Sequence, residues 1–439
     1  MIEFLSNGNL MNKNSKDNWF DDGYESIWLP YTQMKTSPEP LKVKSAKGCE
    51  IQLEDGTKLV DGIASWWSVC HGYQNEYIVS AMEAQLKQLS HVMFAGLAHE
   101  PAYRLAKKLT DFTPDGLSKV FFSDSGSTAV EVAMKMCVQH WNNKGEKRRD
   151  KFISFREGYH GDTMGALSLG DPNSWIAKSF NNYTPRQYVL DIPRNEYDFA
   201  EFEEVVEGIK DTVAGIIIEP LVQGAGGMVF HQADILAEIY RIAKKYNIIF
   251  IADEIMTGFY RTGYKFACME AGITPDIMCL GKALTGGMIS LAATITTDDI
   301  FDSFLDDKLE KAFMHGPTFM ANPLACSAAL ASLELFEKED FHKKIEDIET
   351  ILREELQQFE SHKLIKETRV KGAIGVLKIN EDAIYGDLWE YIFELRSELV
   401  KQGVWLRPFK NIIYIMPSYT ITESQIRKLC DSVKNVLDK

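Results

Sequence analysis

The sequence predicts an α/β fold: a mainly parallel central sheet flanked by helices, with a smaller α/β domain formed by the C-terminal part and an N-terminal segment. Three observations lead there. Residues 248–252 (Ile-Ile-Phe-Ile-Ala) and 277–280 (Ile-Met-Cys-Leu) are unbroken apolar runs of strand length, as expected of strands buried on both faces. Between residues 119 and 252 such runs alternate with stretches of helical period, a spacing that gives right-handed crossovers and parallel neighbours. From about Glu337 the pattern changes to amphipathic helices alternating with a new set of strands, which marks a second unit.

Residues 1–26 are polar, rich in Asn and Asp, and without a sustained period. They read as a flexible arm, within which Met11 is an alternative start. Residues 27–34 (IWLPYTQM) carry three large side chains into Pro30-Tyr31 and call for something to pack against. Alternating Cys49, Ile51 and Leu53, a turn at residues 54–56 and a return to Asp61 predict a hairpin. In Ser65-Trp66-Trp67-Ser68, neighbouring tryptophans cannot face one core from a helix or a strand, so one of them is expected to line a pocket. Burial of the two in separate small cores is the alternative. Helical spacing runs over residues 75–92 and 99–112.

A strand at 119–123 leads into Asp124-Ser125-Gly126-Ser127-Thr128 and a helix whose apolar face is Val130, Ala133, Met134, Cys137 and Trp141. Small residues let the backbone approach an anion, and the helix start offers free N–H groups and a positive dipole end. Taken alone, the segment serves equally well as a cap and turn, since Ser and Asp favour caps. The strand at 151–155 ends in Gly158-Tyr159-His160-Gly161-Asp162, where glycines permit a tight bend and an aromatic ring can stack on a planar group or simply complete a turn. Residues 214–218 form another buried strand before Glu219-Pro220 and the loop 223–227, and a helix over 231–246 leads to the strand ending at Asp253. After Lys282 come a strand at 289–297, the segment 314–320 and an alanine-rich helix at 323–335, opened by a proline where a helix start tolerates one. Further strands are expected at 370–379, 404–407 and 412–416. A capping box at Thr422 and Gln425 opens a last helix that buries Ile426, Leu429, Val433 and Val436. The resulting division is a flexible arm, 1–26; an N-terminal segment packing with the small domain, 27–75; a large cofactor-binding domain, 76–336; and a C-terminal small domain, 337–439.

Composition narrows the function classes. The formal net charge of −15 argues against a nucleic-acid partner, because phosphate neutralisation needs clustered Lys and Arg. The one basic cluster, residues 144–149, reads as a solvated turn. Seven scattered cysteines without a CxxC pair fit reduced thiols in the cytoplasm. The nine histidines make no HExxH or similar metal spacing, and no apolar stretch reaches the roughly 18 to 20 residues of a membrane span.

Asp253 and Lys282 are the residues on which chemistry rests. Each follows the carboxyl end of a buried strand, the edge at which open α/β sheets bind ligands. A lysine among Leu280, Gly281, Ala283 and Leu284 is desolvated, which favours the neutral amine that can form a Schiff base. An acid for a pyridinium nitrogen and such a lysine are what pyridoxal phosphate (PLP) asks of a protein, although a capping acid and a solvated lysine would explain either residue alone.

The stretch ADEIMTGFYRTG followed by PDIMCLGKALTGG resembles the signature of the class III aminotransferases of PLP fold type I. The segments WLPYTQM, DGIASWWSVCHGY, MFAGLAHEPA, FFSDSGSTAVEVAMKM, GYHGDTMGALSLG, EPLVQGAGGM and MHGPTFMANPLAC are similar to those of class members that aminate 8-amino-7-oxononanoate in biotin synthesis. The similarity runs from about residue 27 to Arg407. It implies a PLP-dependent aminotransferase in which Lys282 holds the cofactor, Asp253 meets its ring nitrogen, Tyr159 stacks near it, and Gly126 and Ser127 bind its phosphate. It further implies that Gly316, Pro317 and Thr318 reach the site from a neighbouring subunit of a homodimer, Thr318 at the phosphate. Tyr31, Trp66, Tyr159, Lys282, Gly316 and Arg407 would contact substrate, with Tyr31 joining Lys282 and Asp253 in catalysis and Arg407 holding a carboxylate. The implied donor is S-adenosylmethionine, with lysine as the alternative. Another ω-amino-acid or diamine aminotransferase is the competing enzyme reading, and a sensor built on a PLP-type domain the competing class, for which the short acidic N-terminal arm supplies no DNA-binding or partner domain. Met256, Tyr260 and Ala321 depart from the pattern, standing where small residues or glycine are expected.

Overall fold

A seven-stranded sheet forms the centre of the computed structural model, which describes residues 19–439. The strands lie in the order Leu117–Ser123, Ala292–Thr297, Ile277–Leu280, Ile249–Asp253, Val213–Ile218, Lys151–Phe155, Tyr188–Leu190. Ala292–Thr297 is antiparallel to both neighbours, and every other pairing is parallel. Alternation along the buried strands sorts their side chains between two cores. Ile217, Ile251 and Cys279 pack with Val130, Ala133 and Cys137 of the helix Gly126–Asn143. Ile216, Phe250 and Leu280 share the opposite core with Leu236, Ile239 and Ile242 of the helix Ala233–Lys245. With both faces covered, the sheet can receive a ligand only along an edge.

Three smaller sheets accompany it among the described residues, one of them only the pair Val222–Gln223 and Val229–Phe230. Ile365–Lys371, Ile374–Ile379 and Ile412–Ile415 make an antiparallel sheet with the helix Phe341–Gln357 against it. A single strand was expected over 370–379. Two strands are found instead, because Gly372 turns the chain at φ +52°, and a Cβ there would come within 2.5 Å of Arg261 O. The strand expected at 404–407 is reduced to Val404–Trp405, and it pairs with Lys58–Asp61 of the N-terminal hairpin, not with the C-terminal sheet. The N-terminal segment and the C-terminal part are thereby hydrogen-bonded into one four-stranded sheet.

Other differences are local. The helix expected over 75–92 spans Glu76–Leu86, capped by the Asn75 side chain, and stops where Gln85 Nε2 donates to Leu89 O. Residues 144–149 are a turn, but Arg149 is buried in it, its guanidinium 4.1 Å from the centre of the Trp141 ring and donating to Asn247 O. Within the stretch 1–26, residues 1–18, including Met11, lie outside the described residues. Trp19–Tyr24 is a short helix that buries Phe20 under Lys42. In the segment 27–34, Trp28 is 89% exposed among the described residues.

Candidate active site

Five parallel strands end on one edge of the central sheet, and each delivers a chemically distinct group to it. Leu117–Ser123 leads to Gly126 and Ser127, Lys151–Phe155 to Tyr159 and His160, and Val213–Ile218 to Glu219. Ile249–Asp253 ends in Asp253, and Ile277–Leu280 precedes Lys282. All of these line one cavity of about 430 Å³.

At the cavity floor Asp253 Oδ2 lies 2.7 Å from His160 Nδ1, with both residues 4% exposed. Burial alone would drive protons off the imidazole, but the hydrogen bond and charge of Asp253, aided by Glu219, outweigh it and raise the His160 pKa. Glu219 is fixed by accepting from Tyr159 N–H (2.9 Å) and Gly224 N–H (3.0 Å). Burial pushes its pKa up to about 7, the His160 charge acting against that rise. The Asp253 carboxylate on this floor, held by His160, is the group that would favour a protonated ring nitrogen.

Lys282 follows this floor in a strained turn, at φ +44°, with no hydrogen bond or ion pair among the described residues. Its Nζ lies 4.9 Å from the centre of the Trp67 ring. Burial lowers its pKa, against the opposing pull of Asp253 and Glu219, which raises the share of the nucleophilic neutral amine.

Opposite, the helix Gly126–Asn143 opens with a capping box between Ser125 and Thr128, so both readings of residues 124–128 have a counterpart. The cap leaves the Gly126 and Ser127 N–H groups without an acceptor among the described residues, at the positive end of an 18-residue helix. Ser127 Oγ also accepts from Asp162 N–H at 3.1 Å. A Cβ on Gly126 would sit 3.1 Å from the Ile255 side chain, so alanine there displaces Ile255 into the cavity. Gly126→Ala is expected to weaken binding of a phosphate-bearing cofactor about tenfold, the effect of one lengthened charge-assisted hydrogen bond. Titration of the cofactor-free protein with PLP, alongside its unliganded melting temperature, checks this. Equal affinity in variant and wild type would place the phosphate elsewhere.

The tryptophans depart from expectation: both line the cavity. Ala64, Ser65, Trp66 and Trp67 all have positive φ, between +46° and +71°, a left-handed turn that splays neighbouring side chains in a way neither a right-handed helix nor a strand does. Such backbone is held only by its surroundings, here the buried carboxylate of Asp61, which accepts from Ile63 N–H, Ser65 N–H and the Tyr73 hydroxyl. Trp66 meets Tyr31 edge to face at 5.9 Å. The Tyr31 hydroxyl donates to Asp162 and lies 3.2 Å from that of Tyr159, and burial together with Asp162 moves its pKa up to about 12. Tyr31 therefore stays protonated at neutral pH. Arg407 stacks over Trp66 at 4.8 Å.

The segment 314–320 is the exception. Gly316 and Thr318 are exposed, Pro317 is half-buried, and none of the three lines this chain's cavity. Of the departures from the family pattern, Met256 lines the cavity, while Tyr260 (φ +67°) and Ala321 (φ +53°) occupy left-handed backbone that would suit glycine.

Comparison with known proteins places the chain. The family model for class III aminotransferases matches residues 31–437. The chain belongs to the class III aminotransferases. It is 41% identical over 429 residues to the adenosylmethionine-8-amino-7-oxononanoate aminotransferase of Buchnera aphidicola from Schizaphis graminum, covering 96% of this chain and 97% of that one. Among solved structures, the protein of the same name from Methanocaldococcus jannaschii superposes with a TM-score of 0.92 at 34% identity, over 97% and 99% of the two chains. A PLP-bound amine transaminase from an uncultivated Pseudomonas species gives 0.88 at 31%, over 94% and 98%.

This aminotransferase is thus a PLP-dependent enzyme of fold type I. Its cavity fits that cofactor on independent grounds: unclaimed N–H groups beside a glycine where a Cβ would press on Ile255, a buried acid, and a lysine amine without an ion pair among the described residues. Sequence reasoning did not foresee His160 and Glu219 as neighbours of Asp253, Asp162 as the acceptor for Tyr31, or Trp175, Trp389 and Arg396 in the cavity wall. His160 and Asp162 stood in view, bracketing Gly161, but their partners are 93 and 131 positions away.

Proposed function

We propose that this aminotransferase transfers an amino group from S-adenosylmethionine to 8-amino-7-oxononanoate, giving 7,8-diaminononanoate for biotin synthesis. Relatives of that name, 41% and 34% identical over nearly the whole chain, carry the reading. The cavity supports it with an aromatic wall, Tyr31, Trp66 and Trp67, suited to an aliphatic chain and to a sulfonium cation, and with a guanidinium for a carboxylate.

When bound, PLP supplies an electron sink and a carbonyl carbon that carries the amino group between substrates. Lys282 would hold it between turnovers, and its free amine would serve as the base that takes a proton from the amine-bearing carbon of the donor and returns one to the former ketone carbon of the acceptor. Asp253, held by His160, keeps a proton on the ring nitrogen. The Gly126 and Ser127 N–H groups would receive the phosphate, and Tyr159 would shield the ring from water. Tyr31, anchored on Asp162, orients the substrate from its neutral hydroxyl, and Arg407 binds the acceptor carboxylate in a bidentate fork.

We place Gly316, Pro317 and Thr318 in the site of a second subunit of a homodimer, with Thr318 at its phosphate. In support, the segment is exposed, turned away from its own cavity, and flanked by exposed Met314 and Phe319. We assign the enzyme to the cytoplasm and keep the division at residues 75 and 336 between N-terminal segment, large domain and small domain. Among the described residues, no helix is long and apolar enough to cross a membrane.

The donor decides between close alternatives. S-Adenosylmethionine added to the PLP form is expected to convert the cofactor to its amine form, with lysine leaving it unchanged. Conversion by lysine and not by S-adenosylmethionine would assign the lysine-using variant, and conversion by neither would favour another ω-amino-acid donor.

A further inference from the structure

The helix Leu388–Lys401 presents Trp389, Phe393 and Arg396 at spacings of four and three, so one stripe of it faces the cavity. Trp389 meets Trp175 edge to face at 6.3 Å, and Trp175 in turn meets Tyr31 at 6.4 Å, closing an aromatic rim. Arg396 lies at the inner end of the stripe, with its guanidinium 5.2 Å from the Phe393 ring. Its Nε and Nη2 both donate to Pro408 O, at 2.9 and 2.5 Å. Pro408 follows Arg407, so this contact ties the two arginines together.

Neither guanidinium has an acidic partner among the described residues. Arg149 and Arg369, by contrast, have Glu146 and Glu367, whereas Arg261, like Arg396, donates only to backbone carbonyls, those of Ala373 and Pro417. Among the described residues the Arg407 guanidinium makes no hydrogen bond and Arg396 Nη1 has no acceptor. Acids lining the same cavity are engaged elsewhere, Glu157 with Lys410, Asp162 with the Tyr31 hydroxyl and Asp171 with Asn173 N–H. Burial, and then the charge of Arg407, lowers the Arg396 pKa to about 10, which leaves it cationic at neutral pH. Two half-buried like charges that repel one another in the cavity wall, each with donors left open, would be relieved by an anion joining them.

We propose that Arg396 is a specificity-determining residue that, with Arg407, forms a two-guanidinium clamp for the terminal carboxylate of the long-chain acceptor. A carboxylate has about four lone-pair sites, enough for a fork from Arg407 and a further bond from Arg396 Nη1. The stem of Arg396 and the rings of Phe393 and Trp389 then cover the last methylenes. The proposal rests on the acceptor being a long-chain carboxylate, and its test does not depend on which one.

The PLP-loaded enzyme is assayed for competitive inhibition by heptanoate and by its neutral analogue heptanamide. Heptanoate is expected to inhibit the wild type, and Arg396→Gln to raise its inhibition constant about tenfold or more, as for one lost charge-assisted hydrogen bond, leaving that of heptanamide within about twofold. With 8-amino-7-oxononanoate the same variant should raise KM and not lower kcat comparably. If Arg396→Gln does not fold, Arg396→Met is read in the same way. An unchanged heptanoate constant, or equal weakening of heptanoate and heptanamide, overturns the clamp. Loss of heptanoate affinity in an enzyme that fails to turn over 8-amino-7-oxononanoate supports the clamp and removes that acceptor from the function.

Discussion

Lys282→Ala should abolish transamination in enzyme supplied with PLP. In the role proposed for it, Lys282 has two functions that the substitution removes at once: the amine that would anchor the cofactor and the base that would move the substrate proton. General base catalysis alone contributes about 10² to 10⁴ in rate, and the covalent role adds to it, so a loss beyond about four decades is expected. No other amine stands ready to replace it. Lys410 reaches the same cavity, but its amine is held by Glu157 and Gly226 O. Lys282 by contrast is unpaired and depressed in pKa by burial. The check is single-turnover amination with S-adenosylmethionine, together with the absorbance of bound cofactor. Turnover within a factor of ten of wild type would move the catalytic lysine elsewhere, and a band of covalently held cofactor that survives the change would do the same.

How legible this site was depended on how local its causes are. Asp253 and Lys282 could be placed because a buried parallel strand is an uninterrupted apolar run, and the residue that follows it is at the ligand-binding edge. Gly126 and Ser127 could be placed because a helix start is written in a few consecutive residues. His160 and Glu219 could not, since they meet Asp253 only when three separate strand ends come together. The tryptophan pair was misjudged for a different reason. Periodicity considers right-handed helices and strands, whereas residues 64–67 form a left-handed turn held by Asp61. Arg396 carried no signal, because a charged residue on an amphipathic helix ordinarily faces solvent, and only the docking of that helix beside Pro408 turns it inward. The hairpin at Gly372 was hidden in an apolar run that reads equally well as one strand.

Asp253→Asn should reduce both activity and stability, and the pH dependence of stability separates the two effects. An amide cannot hold a proton on a ring nitrogen as a carboxylate does. Removing one such preorganised charge is expected to lower kcat by about 10² to 10³. For the fold, the Asp253–His160 pair is almost fully buried, and taking away one partner of such a pair costs about 3 to 5 kcal/mol. Its sign with pH follows from His160, whose folded pKa lies above the ordinary value of 6.5 because the bond and charge of Asp253 outweigh the burial that opposes protonation. The stabilisation it brings is therefore fully present below pH 6.5 and is lost as pH rises through the folded pKa. In the variant the imidazole is buried without its acid, so its folded pKa falls and acidification destabilises the protein. Melting temperatures of the two cofactor-free proteins should accordingly diverge as pH is lowered from about 8 to about 6, with the wild type gaining on the variant. Parallel curves over that range would show that His160 is not charged by Asp253. A variant with near-normal kcat would mean that the ring nitrogen has another partner, for which Glu219, beside the same imidazole, is the group to substitute next.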